Sequence, residues 1–296
     1  MTTPEAQHQP VMLADTITAL DIKPGQWYID GTFGRGGHTK VILEKGGNVL
    51  AFDYDQEAIN YGTIFLADYI SEGKLILARA NFSQLTATVE QYAAQTDNTF
   101  AGILFDFGTS VDQLTNQERG FSFTGNGPLD MRMDDRLGVT AAQLLAALSE
   151  QQLADSFREY GGEEAARAIA KAIVTQRRSN PIQTTSQLVD LISRVKRNRS
   201  KLHPATKVFQ ALRIIVNGEL DNIADVLPQA IKLLQPGGRV VTIAFHEGED
   251  RLVKHFFRAQ EQAGHGEALD LLQPDQAEVD KNPRSRSAKL RIFIKK

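Results

Sequence analysis

The chain has 296 residues, 42% hydrophobic and 23% charged, with a formal net charge of −3. That balance excludes a largely disordered chain and supplies core enough for one large domain or two ordinary ones. No apolar run reaches the roughly 18 residues that span a bilayer, and the opening MTTPEAQHQPVML has neither a basic nor a long apolar leader region, so a cytoplasmic protein with no membrane partner is expected. Zero cysteines exclude a disulfide framework, a thiolate nucleophile and any cysteine-held metal, and with six scattered histidines no metal site is expected.

Along the chain, residues 26–30, 48–53, 74–78 and 101–106 are short apolar runs that predict buried strands. Between them 38–44, 56–70 and 84–94 carry helical spacing, with Asp55 and Ser83 as candidate N-caps. This alternation predicts an α/β fold with a doubly wound, parallel sheet. From 108 to 138 the sequence is rich in Gly, Asp, Asn and Pro with no sustained period, and a loop that long inside a compact protein is usually functional. Residues 141–148, 163–175 and 186–195 read as helices, with a break at Asn180-Pro181. A long helix over about 205–234, bent at Pro228, then leads through Gln235-Pro236-Gly237-Gly238 to a strand at 239–245, a helix at 249–262 and a closing strand at 290–294. The expected organisation is a discontinuous α/β domain, 1–138 and 205–296, interrupted by an inserted helical subdomain at 139–204.

Charge is unevenly distributed. Between 151 and 210 eleven Lys and Arg stand against five acids, a net +6, which leaves −9 on the remainder. A basic segment in an acidic protein suits a module that binds a polyanion, and a solvated helical surface is the plainer alternative. Its densest run is Arg194, Lys196, Arg197, Arg199 and Lys201, where phosphate contact competes with simple solvation.

The first strand runs into Asp30-Gly31-Thr32-Phe33-Gly34-Arg35-Gly36-Gly37-His38 and at once into a helix. Glycines at such a turn let the backbone approach a ligand and present helix N-terminal N–H groups to it, which predicts a nucleotide-like cofactor. Asp53, ending the second strand, is placed to accept two ribose hydroxyls; its alternative is a capping role beside Asp55. Three details favour S-adenosyl-L-methionine over a dinucleotide. The position that the dinucleotide fingerprint gives to its last glycine, counted from Gly34, is Thr39. Asp30 precedes the glycines, where it can pair with a cationic amino group and would repel a pyrophosphate. Finally, Leu234-Gln235-Pro236-Gly237-Gly238-Arg239 resembles the turn before the fifth strand of class I methyltransferases.

The segments IDGTFGRGGH (29–38), ERGFSF (118–123), GPLDMRMD (127–134), HPAT (203–206), FQALRI (209–214) and NPRSRS (282–287), in this order, make the chain similar to the bacterial ribosomal RNA small-subunit methyltransferase H family. The resemblance covers nearly the whole chain and implies a class I, Rossmann-like methyltransferase sheet. It implies methylation of N4 of a cytidine in the decoding region of small-subunit ribosomal RNA, with that RNA, naked or within an assembled subunit, as the partner. It also implies cofactor roles for Gly36, Gly37, His38, Asp53, Phe82, Asp106 and Gln113, beside Asp30 and Gly34. The chain departs from the family pattern at Phe107-Gly108-Thr109-Ser110-Val111-Asp112-Gln113, at Gly162, Glu164, Ala165 and Ala168, and at His246-Glu247-Gly248-Glu249.

An exocyclic amine has its lone pair delocalised into the ring, so attack on a methyl group needs in-line placement and acceptors for the amino protons. Asp106 is the expected catalytic acceptor, with cofactor binding alone as its alternative. Gln210, Arg213 and Asn217 recur on one face of a helix and either line a cleft or close a buried polar network. Asp130 and Arg132 either form a loop salt bridge or position the base, and His246 is either a substrate residue or part of a turn. Two other classes remain open on the sequence: a nicotinamide dehydrogenase, and a catalytically altered RNA-binding or ribosome-assembly factor.

Overall fold

The computed structural model describes residues 10–97, 99–196 and 202–296. Arg197, Arg199 and Lys201 therefore lie outside the described residues. The chain divides into two compact units, one from the segments up to Gly108 and from Leu220 onward, the other from Thr109–Glu219.

The first unit is built on a seven-stranded sheet: β1 Trp27–Asp30, β2 Asn48–Asp53, β3 Leu75–Arg79, β4 Phe100–Asp106, β5 Leu234–Ala244, β6 Gly266–Ala268 and β7 Lys289–Lys295. Its order is β3-β2-β1-β4-β5-β7-β6. The first five strands are parallel, and β7 is antiparallel to both β5 and β6. Strands covered on both faces read as continuous apolar runs, and β1 and most of β4 are buried residue after residue. Successive side chains alternate between two cores. Trp27, Ile29, Phe52, Ile103 and Phe105 enter one; Tyr28, Val49, Ala51, Leu104 and Val241 enter the other. Chain order reverses between β1 and β4, and a doubly wound sheet opens its ligand crevice beyond the carboxyl ends of the strands at such a point.

The helices of this unit correct several expectations. Asp55 does cap Gln56–Phe65 by accepting the Glu57 N–H, but the expected helix over 56–70 breaks at Leu66. There the backbone leaves helical geometry, and Leu66 is buried while Phe65 is left exposed. Asn81, not Ser83, caps the turn after β3, because its side chain reaches forward to the Ser83 N–H. Helices Leu13–Leu20 and Gln276–Lys281 and the strand β6 were not foreseen. In β5, Leu234 pairs with Phe100 and Arg239 with Gly102, so the intervening Pro-Gly-Gly turn is extruded from the ladder.

The second unit is wider than the expected 139–204, because hydrogen bonds tie the preceding loop to its helices. Leu129 N–H donates to the Gln183 carbonyl, Thr185 N–H to that of Gly127, and Pro128 bridges Thr184. Its helices include Ala141–Ala147, Glu150–Glu159, Ala166–Gln176, Thr185–Val195 and Thr206–Asn217. Thr140, Ser149 and Thr184 each open a helix in a capping box with a glutamine three residues on. The long helix expected over 205–234 is two helices, Thr206–Asn217 and Glu219–Leu233, parted at Gly218, whose φ of 60° only glycine adopts readily. Pro228 lies inside the second without ending it.

Candidate active site

The carboxyl ends of β1, β2 and β4 gather the acidic residues of the sequence reading. Asp30 is almost fully buried, and its oxygens accept the Thr32 N–H at 3.1 Å and the Thr39 hydroxyl at 2.7 Å. Burial pushes its carboxyl above the usual range, against the hydrogen bonds from Thr39 and Thr32. Thr32 in turn accepts the Asp106 N–H on its hydroxyl at 2.7 Å, which stitches the glycine turn to the end of β4. Thr32 and Thr39 were missed in the sequence. Their only signal was two hydroxyls flanking the glycines within nine residues of a buried acid.

Gly34 has a φ of 56°, and a side chain there would meet only the Thr32 carbonyl oxygen, at 4.0 Å, so the turn leaves room beside its backbone for a ligand. Its N–H donates to Asp53 Oδ2 at 2.8 Å, while Asp53 Oδ1 accepts the Asp55 N–H at 2.8 Å. Each oxygen thus keeps a lone pair for a further donor. Burial, opposed by those two N–H groups and reinforced by the charges of Asp55 and Asp30, raises the Asp53 carboxyl to about 7. Gly36 and Gly37 open the helix Gly37–Glu44, and a side chain at Gly37 would overlap the Pro10 ring.

His38 is buried in the first turn of that helix, and its Nε2 donates to the Val11 carbonyl at 3.2 Å. A carbonyl only accepts, so Nε2 carries a proton. Nδ1 lies 4.0 Å from Asp106 Oδ2. Asp106 Oδ1 is buried with no hydrogen-bond partner among the described residues. Burial first, and then the negative charges of Asp30 and Glu249, drive the Asp106 carboxyl well above its ordinary value. Glu249 is the other residue that sequence reasoning missed. It is fully buried, and its Oε2 accepts the Phe245 and His246 N–H groups at 2.7 and 3.2 Å. His246 caps the helix Glu247–Gln262 by accepting the Gly248 and Glu249 N–H groups on Nδ1, with Nε2 3.2 Å from Glu249 Oε1. A polar residue followed three positions later by glutamate was the available signal.

Phe82 packs against Phe105 and Phe107, with ring centroids 5.8 Å away in each case, so its ring is largely within the core. Gln113 is in the second unit, where it is buried and exchanges hydrogen bonds with Ser110.

The remaining residues of the sequence reading are also in the second unit. Arg132 grips both oxygens of Asp130 at 2.8 Å and donates to the Leu137 carbonyl. Burial raises the Asp130 carboxyl, but Arg132 outweighs it and holds the group below the usual range. Asn217 accepts the Met133 N–H at 2.7 Å and donates to the Met131 and Arg213 carbonyls at 2.8 Å. Arg213 forms a two-pronged pair with Glu219. Of the alternatives open for these side chains, the geometry is that of a salt bridge and a buried polar network. Within the basic run, Lys196 pairs with the buried Glu163 at 2.7 Å, and Arg194 donates to Gln176. Phe123 stacks on His203 with centroids 4.4 Å apart and rings within 4° of parallel.

Residues 5–296 match the model of the MraW methylase family. A ribosomal RNA small subunit methyltransferase H from Thermomicrobium roseum is 45% identical, covering 96% of this chain and 92% of its own. One of the same name from Beijerinckia indica is 45% identical over 98% of this chain and 86% of its own. A third, from Shewanella loihica, is 40% identical over 98% of both. With a doubly wound sheet, a glycine turn facing two strand-end carboxylates, and a family match over almost its full length, the chain belongs to the MraW methylase family.

Proposed function

We propose that this chain methylates N4 of a cytidine in the decoding region of small-subunit ribosomal RNA, with Asp106 as the catalytic acceptor. Family membership makes it an S-adenosylmethionine-dependent ribosomal RNA methyltransferase; the base, the atom and the roles below are our reading. When bound, the cofactor supplies an electrophilic methyl group on a sulfonium.

The residues present fit such a group. A side chain at Gly34 would meet no neighbour nearer than the Thr32 carbonyl oxygen at 4.0 Å, and Asp53 retains a lone pair on each oxygen for the two ribose hydroxyls. Gly36, Gly37 and His38 open a helix directly after the turn, and the first turn of a helix offers N–H groups to a polar ligand. Asp30 holds the turn in shape through Thr32 and Thr39, and cofactor roles for Phe82 and Gln113 are assigned on the family resemblance.

The observation that carries the catalytic role is Asp106 Oδ1, a buried acceptor with no partner among the described residues, at the point where strand order reverses. An amine attacking a methyl group must shed a proton as its nitrogen becomes tetrahedral. Asp106 Oδ1 accepts one of the N4 protons, and the raised affinity of its carboxyl for protons makes it a stronger base once ionised. His246 and the Asp130–Arg132 and Arg213–Asn217 groups position the substrate strand, the last two by fixing the loop around residue 132. Arg197, Arg199 and Lys201 contribute phosphate contacts. The reading sets the protein in the cytoplasm; among the described residues, no helix is long and apolar enough to cross a membrane.

Transfer of labelled methyl to purified small subunits and to protein-free ribosomal RNA, followed by nucleoside analysis, tests the reading. Label in N4-methylcytidine supports it, and label confined to another nucleoside overturns it.

A further inference from the structure

In the second unit, two motifs far apart in sequence meet at an aromatic stack. Phe123, from ERGFSF, lies parallel to His203, the first residue of HPAT, and Phe209 meets the other ring, Phe123, edge-on at 6.0 Å and 87°. Phe209 is buried, Phe123 half-buried and His203 exposed, so the three rings form a graded column from core to solvent. The His203 ring is held in plane by more than stacking, because its Nδ1 accepts the Ala205 N–H at 3.3 Å. Leu202 beside it is 58% exposed. An exposed ring with a fixed orientation, ending a supported stack, suits another flat ring laid upon it.

Charge selects the occupant. His203 and Phe209 lie near the end of a segment, 151–210, that carries a net +6 in an otherwise acidic chain, and a cationic segment combined with aromatic faces is how single-stranded nucleic acids are held. We propose that His203, backed by Phe123, is a stacking platform for an unpaired base of the RNA substrate, one held in the second unit. This inference rests on the proposed RNA substrate and adds a contact to the face of a base, independent of phosphate.

The test uses the full chain and a synthetic hairpin of the small-subunit decoding region, with 2-aminopurine placed at successive unpaired positions. Stacking quenches its fluorescence, so one position is expected to be quenched by the wild type. His203→Ala should abolish that quench and weaken hairpin binding by about 5- to 100-fold, while the salt dependence of binding and the affinity for S-adenosylmethionine stay unchanged. His203→Phe should retain the quench, and Phe123→Leu should reduce it while the thermal melt holds. A His203→Ala protein that binds and quenches like the wild type overturns the platform while leaving the RNA reading intact. A wild type that binds no hairpin and methylates no RNA overturns both. If His203→Ala impairs only assembled subunits, with hairpin binding untouched, the platform meets a protein and the proposal is wrong.

Discussion

At the scale of single residues, the two strand-end carboxylates differ in their surroundings. Asp53 is raised to about 7 from 3.8, so the folded chain holds a proton there that the unfolded chain has released. Between about pH 4 and 7 the folded state binds more protons, and this group's contribution to stability declines as pH rises through that window. Cofactor binding has the opposite sense, since ribose hydroxyls donate to the ionised form. Affinity for S-adenosylmethionine should therefore climb as pH approaches 7 and level off above it, with proton release visible by calorimetry in buffers of different ionisation enthalpy. Asp53→Asn should flatten that profile. Asp53→Ala should remove one or two charge-assisted hydrogen bonds, roughly 1.5–3 kcal/mol each. For Asp106→Asn we expect an intact fold and measurable RNA binding but a severe loss of single-turnover methyl transfer at saturating cofactor, because the amide offers one acceptor oxygen in place of two. A wild-type rate there would refute the catalytic role. Asp53 and Asp106 stood out as candidates in the sequence because each acid ends a buried apolar run. Glu249 was not, since only folding brings its charge to bear on Asp106.

Among elements, the contrast lies between strands and polar segments. The first four strands could be read as apolar runs because both faces of the sheet are covered, whereas β6, with one buried residue of three, left no such trace. Likewise the helix Glu150–Glu159 has an apolar stripe of only Leu153, Ala154 and Phe157 in a polar sequence. The segment 108–138 offered no period because its order comes from distant partners. Asn217 holds it at Met131 and Met133, and Arg119 donates to the Arg132 and Met133 carbonyls. Met131 has a φ of 64°, a conformation that costs a non-glycine residue roughly 1–2 kcal/mol and that these bonds maintain. Asn217→Ala leaves buried backbone groups without partners, at about 1–3 kcal/mol each. Urea denaturation of the full chain should show a loss of that order, and an unchanged midpoint would mean that the loop is held elsewhere.

For the whole molecule, the net charge of −3 conceals a basic segment, 151–210, in an otherwise acidic chain. If that segment meets RNA phosphates, neutralising Arg197, Arg199 and Lys201 together should weaken RNA binding. It should also flatten the salt dependence by up to about 0.9 per lost contact on a duplex, or about 0.7 on a single strand, without moving cofactor affinity. Survival of both RNA affinity and salt slope would assign the run to solvation.

The extrusion of a whole unit between β4 and β5 also governs how the protein is born. β4 is buried through nearly all its length, yet the strand that completes its ladder begins only at Leu234. At a synthesis rate of about 5–20 residues per second, the nascent sheet waits on the order of 6–26 s with the apolar edge of β4 uncovered. During that interval Thr109–Glu219 can mature as its own unit, while the half-made sheet is open to strand-on-strand misassociation. Ribosome-bound chains arrested after Glu219 should be cleaved by protease within residues 27–106 and captured by chaperones, and chains released at full length should resist both.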